Sequence, residues 1–349
     1  MTGICQEVPS GMAVKNRQLV LAARPVGMAD DSCFRLEQAE VPAIGDGEAL
    51  VRVVYLSIDP TIRGWMNEAD TYFPAIRLGE VIRGGGIGEV VESRNPGYTA
   101  GDLVFGLTGW QEYAVADGGA RAMTVLPPGI PLLDALSVYG VTGMTAYFGV
   151  LDVGRPQEGQ TVVVSGAAGA TGSVAGQIAK INGCRVVGIA GTDEKCAWVT
   201  NKLGFDACIN YRTDDVAARL RATCPDGVDV FFDNVGGEIL QAVLERINLG
   251  ARVVLCGAIS MYNSPEPPPG PSNYVQLVIK RARMEGFLVL DYVSRFPEAQ
   301  LQMASWVVDG KIQHAEDVIA GLENAPGALN RLFTGANTGK VIVQVSEEP

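Results

Sequence analysis

The sequence predicts an α/β chain in which a doubly wound parallel sheet is inserted in a β-barrel-type domain. Three observations carry that reading. Short strand signals punctuated by Gly, Pro and Asp crowd the first third. Strand and helix signals alternate from about Asp134 onward. One further strand signal, "GKVIVQV", follows the helical units. A chain of 349 residues is too long for one small core. The expected division is residues 1–135 plus 315–349 for the first domain and 136–314 for the inserted one.

In the first domain, "RQLVLAARP", "EALVRVVYLSI", "GGGIGEVVES", "GDLVFGL" and "WQEYAVAD" alternate or run apolar, as the short strands of a compact barrel do. Beyond them, "TVVVS" (Thr161–Ser165) is a buried strand and Ser173–Gly183 a helix ended by glycine. "RVVGIA" is a strand followed by a helix over Asp193–Leu203. "ACINY" is a strand followed by a helix over Asp215–Thr223. "VDVFFDNV" is a strand followed by a helix over Glu238–Ile247, and "ARVVLCGA" is a strand again. Repeated βα units with apolar strands imply a parallel sheet covered on both faces. The proline-rich "NSPEPPPGPSN" (Asn263–Asn273) is a stiff loop, either a connector or a wall over a ligand held beyond the strand ends. "GKVIVQV" is expected to return to the first domain, which the second then interrupts.

Composition excludes several classes. Hydrophobic residues make up 47% and charged residues 19%, a globular balance. The 43 glycines are spread along the chain, as tight turns and close backbone approaches require. Lys and Arg number 27 against 39 Asp and Glu, a net charge of −12 that repels nucleic acid and anionic lipid yet leaves room for a local basic pocket. The seven cysteines (Cys5, Cys33, Cys184, Cys196, Cys208, Cys224, Cys256) are odd in number and show no CxxC spacing. Reduced thiols of a cytoplasmic enzyme are expected, not a disulfide framework or a zinc lobe. The N-terminus has no basic segment leading into an apolar core, so no signal peptide is expected. The uncharged stretches Ala135–Leu151 and Gln160–Ala179 contain Gly, Ser and Thr and are read as folded elements, not membrane spans.

"VVVSGAAGATGSVAGQIAK" carries Ala167, Gly169 and Gly172 as A-x-G-x-x-G, between a strand and a helix. Gly169 lets the backbone approach a pyrophosphate and Gly172 lets helix pack on strand. The helix start at Thr171–Ser173 offers N–H groups to the anion. At the end of "RVVGIA", an acid would bind the ribose of NAD and repel a 2′-phosphate. Ala190 and Gly191 stand there instead, with Thr192 and Lys195 following, so the pattern favours NADP. Asp193 and Glu194 oppose that reading, although carboxylates are favoured in a first helical turn and can point away. The only histidine is His314, with no cysteine near it in sequence. A catalytic zinc needs about three protein ligands, so no metal site is expected. A proton donor would have to be a tyrosine, a cofactor hydroxyl or water.

Taken together, "VSGAAGATGSVAGQIAKINGCRVVGIAGTDEK", "LGFDACINYR", "FDNVGG", "CGAISMYN", "NTGKVIVQV" and the early "YLSIDPTIRGWM" resemble the zinc-independent medium-chain dehydrogenases/reductases. The likeness is to the branch of leukotriene B4 12-hydroxydehydrogenase/prostaglandin reductases, plant 2-alkenal reductases and bacterial curcumin reductase, and it covers nearly the whole chain. The resemblance implies a Rossmann-type sheet inserted in a GroES-like domain, and NADPH-dependent reduction of the C=C bond of α,β-unsaturated ketones or aldehydes. It also implies that Ala170, Thr171, Gly172 and Ser173 line the pyrophosphate and that Lys195 and Tyr211 hold the 2′-phosphate. Asn234 then lies at the cofactor. Cys256, Gly257, Ala258, Ile259, Ser260 and Tyr262, with Phe287, Leu288, Val289 and Leu290, flank the nicotinamide, and Asn337 reaches in from the returning strand. Tyr262 matches the tyrosine that hydrogen-bonds near the nicotinamide ribose and the substrate carbonyl. Tyr55 is a further pocket candidate. Thr61 departs from the pattern, because many relatives carry an aromatic residue there, so substrate identity does not carry over.

The mechanism expected is hydride delivery to the β-carbon, with Tyr262 and the ribose hydroxyl stabilising the enolate oxygen. The alternatives are a quinone reductase, a 15-hydroxy dehydrogenase running the reverse direction of alcohol oxidation, and a non-catalytic NADPH-binding protein. A homodimer follows from the resemblance alone, and no nucleic-acid or membrane partner is expected.

Overall fold

The computed structural model describes residues 15–69, 71–266 and 268–349. Cys5 and the first fourteen residues of the expected first domain lie outside them, as does Pro267 of the proline-rich loop. Six parallel strands form one sheet in the spatial order Ala207–Asn210, Arg185–Ala190, Thr161–Ser165, Val228–Asp233, Ile247–Leu255, Arg283–Gly286. By position along the chain that order is 3-2-1-4-5-6, so the winding reverses between Thr161–Ser165 and Val228–Asp233. The strands read as unbroken apolar runs because both faces are covered. Val162, Val164, Phe232 and Val254 lie in one core cluster, while Val163, Phe231 and Val253 lie in another. Alternate side chains of a strand point to opposite faces, so each strand feeds both clusters.

The second sheet has the order Glu316–Ala320, Lys340–Gln344, Ala49–Ser57, Gly86–Ser93, Leu103–Gly106, Thr124–Val125, and Tyr113–Ala116 also pairs with Ala49–Ser57. Lys340–Gln344 runs antiparallel to Ala49–Ser57 with Ile342 opposite Ser57, so the last strand does return to the first sheet. A separate hairpin pairs Lys15–Leu21 with Phe34–Glu40.

Several elements differ from the sequence reading. Helix Ala170–Ile181 begins three residues before the expected Ser173, and Ile247 opens a strand where a helix end was expected. The strands Phe34–Glu40 and Arg283–Gly286 were not anticipated. Their segments, FRLEQAE and RMEG, are charged and half exposed, so no apolar run marks them. The helices Val141–Phe148, Phe296–Val308 and Ala325–Thr334 also went unread.

Candidate active site

The carboxyl ends of the parallel strands meet the start of the last strand of the other sheet. Gly339 N–H donates to Ala168 O at 2.8 Å, and Gly169 and Gly339 form a parallel bridge. On that seam lies the turn Gly166–Gly169, with Gly169 as N-cap of helix Ala170–Ile181 and no side chain capping it. The amides of Ala170, Thr171 and Gly172 are therefore the first-turn donors that an α-helix leaves unpaired. A Cβ on Gly172 would lie 2.3 Å from Gly166 O, so only glycine lets the helix sit this close to the turn. The fingerprint's first glycine is Ala167, fully buried. Gly188 makes the space, because a Cβ there would lie 2.8 Å from the Ala167 methyl. Ser173 is spent within the helix: its amide donates to Gly169 O at 3.0 Å and its hydroxyl to Ala170 O at 3.2 Å.

Beyond Ala190 the chain passes Gly191 to Thr192, whose hydroxyl oxygen accepts from Lys195 N–H at 3.2 Å and caps helix Asp193–Asn201. The two opposing acids turn elsewhere: Asp193 accepts from Asn210 Nδ2 at 2.7 Å, and Glu194 is exposed. Lys195 Nζ donates to Gly335 O at 2.9 Å and the Arg212 guanidinium to Thr334 O at 2.6 Å, at the C-terminal end of helix Ala325–Thr334. Two cations thus converge on neighbouring carbonyls. Burial, and then the charge of Arg212, hold Lys195 below the ordinary lysine value. Tyr211 lies over Gly191, where a Cβ would meet its ring and hydroxyl at 3.1 Å. The Arg212 guanidinium stands 5.8 Å from the Tyr211 ring centroid. Arg212 follows Tyr211 directly and was not singled out from the sequence.

At the reversal point, Ser165 Oγ donates to buried Asp233 at 2.7 Å and accepts from Asn234 N–H at 2.8 Å. Asn234 Nδ2 donates to Ser165 O at 2.7 Å. Burial raises the Asp233 pKa, while the Gly236 N–H, the Ser165 hydroxyl and the Val235 N–H all act to lower it. The next strand ends at Cys256–Gly257, and a short turn over Ile259–Met261 leads to Tyr262. That turn is stitched to the neighbouring loop: Ile259 N–H donates to Asn234 O at 3.1 Å and Ser260 Oγ to Val235 O at 2.6 Å.

Tyr262 Oη accepts from Ala258 N–H at 3.2 Å and rests on Gly257, whose Cβ would lie 3.3 Å away. Burial pushes the Tyr262 phenol up, and Cys256 and Tyr72 add to the effect. Burial also pushes the Cys256 thiol up to about 12. Both groups are neutral near pH 7. Phe287 and Val289 use their side chains for packing: a Cβ on Gly149 would lie 2.6 Å from the Phe287 ring, and Val289 is buried.

From the other sheet come two further groups. Lys340, almost fully buried, donates to Ile58 O at 2.9 Å and Asp59 Oδ1 at 2.6 Å, which ties "SIDP" to the returning strand. Asn337 is buried and donates to Gly339 O at 3.0 Å, holding the turn that meets Ala168. Tyr72 was missed in the sequence. Its ring stands edge-on to Trp65 with centroids 6.1 Å apart, and burial pushes its phenol up.

Tyr55 is placed differently from the expectation. Its ring packs with Val54, Ile87, Leu132 and Ile342, and its hydroxyl donates to Glu348 at 2.8 Å. It is a packing residue with its hydroxyl engaged elsewhere. The lone His314 pairs with Glu316 at 2.6 Å and faces Asp134 at 3.9 Å. Among the described residues no cluster of His, Cys, Asp or Glu could hold a metal ion, and no helix is long and apolar enough to cross a membrane. The proline-rich loop is pinned at its far end, where Ser272 and Asn273 hydrogen-bond to Gln241.

A family model described as the N-terminal domain of oxidoreductase matches residues 17–125, and one described as zinc-binding dehydrogenase matches residues 170–306. The chain is 44% identical over 337 residues to the NADPH-dependent curcumin reductase of Escherichia coli (strain K12), covering 95% of this chain and 97% of that protein. It is 40% identical over 341 residues to the 2-alkenal reductase (NADP(+)-dependent) of Nicotiana tabacum, covering 96% and 99%. The crystal structure of CurA in complex with NADPH from Vibrio vulnificus superposes with a TM-score of 0.91 at 44% identity, covering 95% of this chain and all of that one.

Proposed function

The chain belongs to the zinc-independent branch of the medium-chain dehydrogenases/reductases, and on that premise we propose that it reduces the C=C bond of α,β-unsaturated ketones and aldehydes with NADPH, Tyr262 donating to the substrate carbonyl. The residues present fit the cofactor. The cradle at Gly169–Gly172 is too tight for side chains at Gly172 and offers three amides to a pyrophosphate. The Lys195–Arg212 pair beside Tyr211 and Gly191 suits a 2′-phosphate, whose charge offsets their mutual repulsion.

When bound, NADPH supplies the hydride that adds to the β-carbon. The protein's own part lies at the carbonyl oxygen, which gains negative charge as the hydride arrives; water, or a relay through Tyr262, then supplies the proton to the α-carbon. One observation carries the assignment of Tyr262. Its oxygen already accepts a hydrogen bond from Ala258 N–H, so its own O–H is left to donate outward. Its raised pKa keeps that proton in place at neutral pH. A preoriented neutral donor aimed at a developing oxyanion stabilises the transition state more than the ground state. The Asn234 loop and the Cys256–Tyr262 turn hold that donor by backbone hydrogen bonds. In this proposal Asn337, Phe287, Leu288 and Val289 border the cofactor, and Tyr55 has no part.

The proposed units remain residues 1–135 with 315–349, and 136–314. A homodimer is proposed on the open edge strand Arg283–Gly286, beside which Tyr274, Val275, Val278 and Ile279 are exposed. A cytoplasmic setting suits the six free cysteines among the described residues. The test follows loss of NADPH absorbance with a panel of enones, enals and quinones, and its gain from NADP+ with a panel of alcohols, with NADH and EDTA as controls. Oxidation of NADPH by enones without loss in EDTA supports the reading. Turnover of alcohols or quinones alone removes it.

A further inference from the structure

We propose that Arg63 is a positioning residue for Tyr262, acting through the strap Arg24–Ala29; the proposal rests on the role assigned to Tyr262 above. Arg63 lies in the short helix Thr61–Trp65 and is almost fully buried, 2% exposed. No carboxylate pairs with it among the described residues. Its guanidinium spends its donors on main-chain oxygens of the strap: Nε and Nη2 donate to Gly27 O at 3.1 and 2.8 Å, and Nη2 also to Pro25 O at 3.2 Å. Nη1 donates to Asn67 Oδ1 at 2.7 Å.

Burying a cation is costly, and carbonyl dipoles offset that cost only if they are held in one geometry. The fork of Arg63 therefore specifies where the strap lies. The ends are pinned as well. Arg24 donates to Met66 O at 2.7 Å, and Asn330 Nδ2 donates to Ala29 O at 2.7 Å.

The middle of the strap touches the residue after Tyr262. Gly27 has a φ of +76°, and a Cβ there would lie 3.9 Å from Asn263 O. Asn263 Nδ2 stands 3.4 Å from Met28 Sδ. The strap is thus the surface of one sheet's domain against which the Tyr262–Asn263 turn of the other is seated. Arg63 fixes that seat without touching the reacting atoms.

The test compares Arg63→Gln, Arg63→Lys and Asn263→Ala in the full-length protein, each in wild-type and Tyr262→Phe backgrounds, with NADPH and an enone that the wild type reduces. Arg63→Gln is expected to lower kcat about 10- to 100-fold, the scale of a small misplacement of a catalytic group, while NADPH affinity stays within about twofold because the phosphate contacts are elsewhere. Arg63→Lys, which keeps the charge but not the fork, is expected in between. In the Tyr262→Phe background both Arg63→Gln and Asn263→Ala should cost little more, since the group they position is gone. A merely structural Arg63 would lower thermal stability and multiply equally into both backgrounds, and that result overturns the proposal. If Arg63→Gln does not fold, Arg63→Lys in the two backgrounds gives the same reading. If Tyr262→Phe alone leaves kcat unchanged, the role of Tyr262 fails first, and that outcome is distinct from additivity.

Discussion

Replacing Lys195 by alanine tests the cofactor site most directly. The Nζ group sits at Gly335 O, half-buried, and Arg212 is its cationic neighbour. A hydrogen bond to a charged group contributes about 1.5–3 kcal/mol, and about 1.4 kcal/mol is tenfold in an equilibrium constant. Loss of Lys195 should therefore raise the Kd of NADPH roughly 10- to 100-fold. Arg212 is exposed, so its charge is screened; Arg212→Ala should cost only about 0.2–1 kcal/mol, up to roughly fivefold. NADH carries no 2′-phosphate and should lose about twofold at most in either variant. In the cofactor-free protein Lys195→Ala loses the hydrogen bond to Gly335 O but also the cost of a half-buried charge beside Arg212, so its thermal midpoint should change little. Fluorescence titration with both nucleotides measures all of this. Equal losses for NADPH and NADH would refute the reasoning, since they would show Lys195 acting on the shared half of the molecule or on the fold.

Three further outcomes are expected. Tyr262→Phe should lower kcat about 10²-fold, the usual cost of losing one oxyanion donor, with NADPH binding retained; stopped-flow hydride transfer checks it, and an unchanged rate removes the tyrosine from the chemistry. Gly172→Ala should destabilise the fold by about 1–3 kcal/mol, because its Cβ would lie 2.3 Å from the backbone oxygen of Gly166; denaturant unfolding measures it, and an unchanged midpoint contradicts the tight cradle. His314 has its pKa raised above the ordinary 6.5, chiefly by its hydrogen bond to Glu316. The stability this contributes is fully present below 6.5 and is lost as pH rises through the higher folded value. Thermal midpoints should fall across that window in the wild type and stay flat in His314→Gln; parallel curves would show that His314 is not the titrating group.

Much of this was legible in the chain itself. The apolar runs Thr161–Ser165, Arg185–Ala190 and Val228–Asp233, short and rich in Val, Ile and Phe, marked strands buried on both faces, and glycines 169 and 172 marked the turn between strand and helix. Local sequence sufficed because period and turn chemistry act over a few residues. It failed for Phe34–Glu40 and Arg283–Gly286, whose strand state comes from their partners and not from their own charged side chains. It also could not give the partner of Tyr55, because an apolar strand shows that a tyrosine is inward but not which group its hydroxyl meets. Glu348 lies 293 residues away.

The sequence by itself thus determined the class of fold, the cradle and the missing ribose acid, all properties of contiguous stretches. The tertiary structure decided everything that depends on distant segments meeting. It set Arg212 and Lys195 on neighbouring carbonyls, turned Asp193 to Asn210 and seated Asn263 against Met28. Those pairings depend on how two sheets and their loops pack, and no periodicity within one segment encodes the position of another.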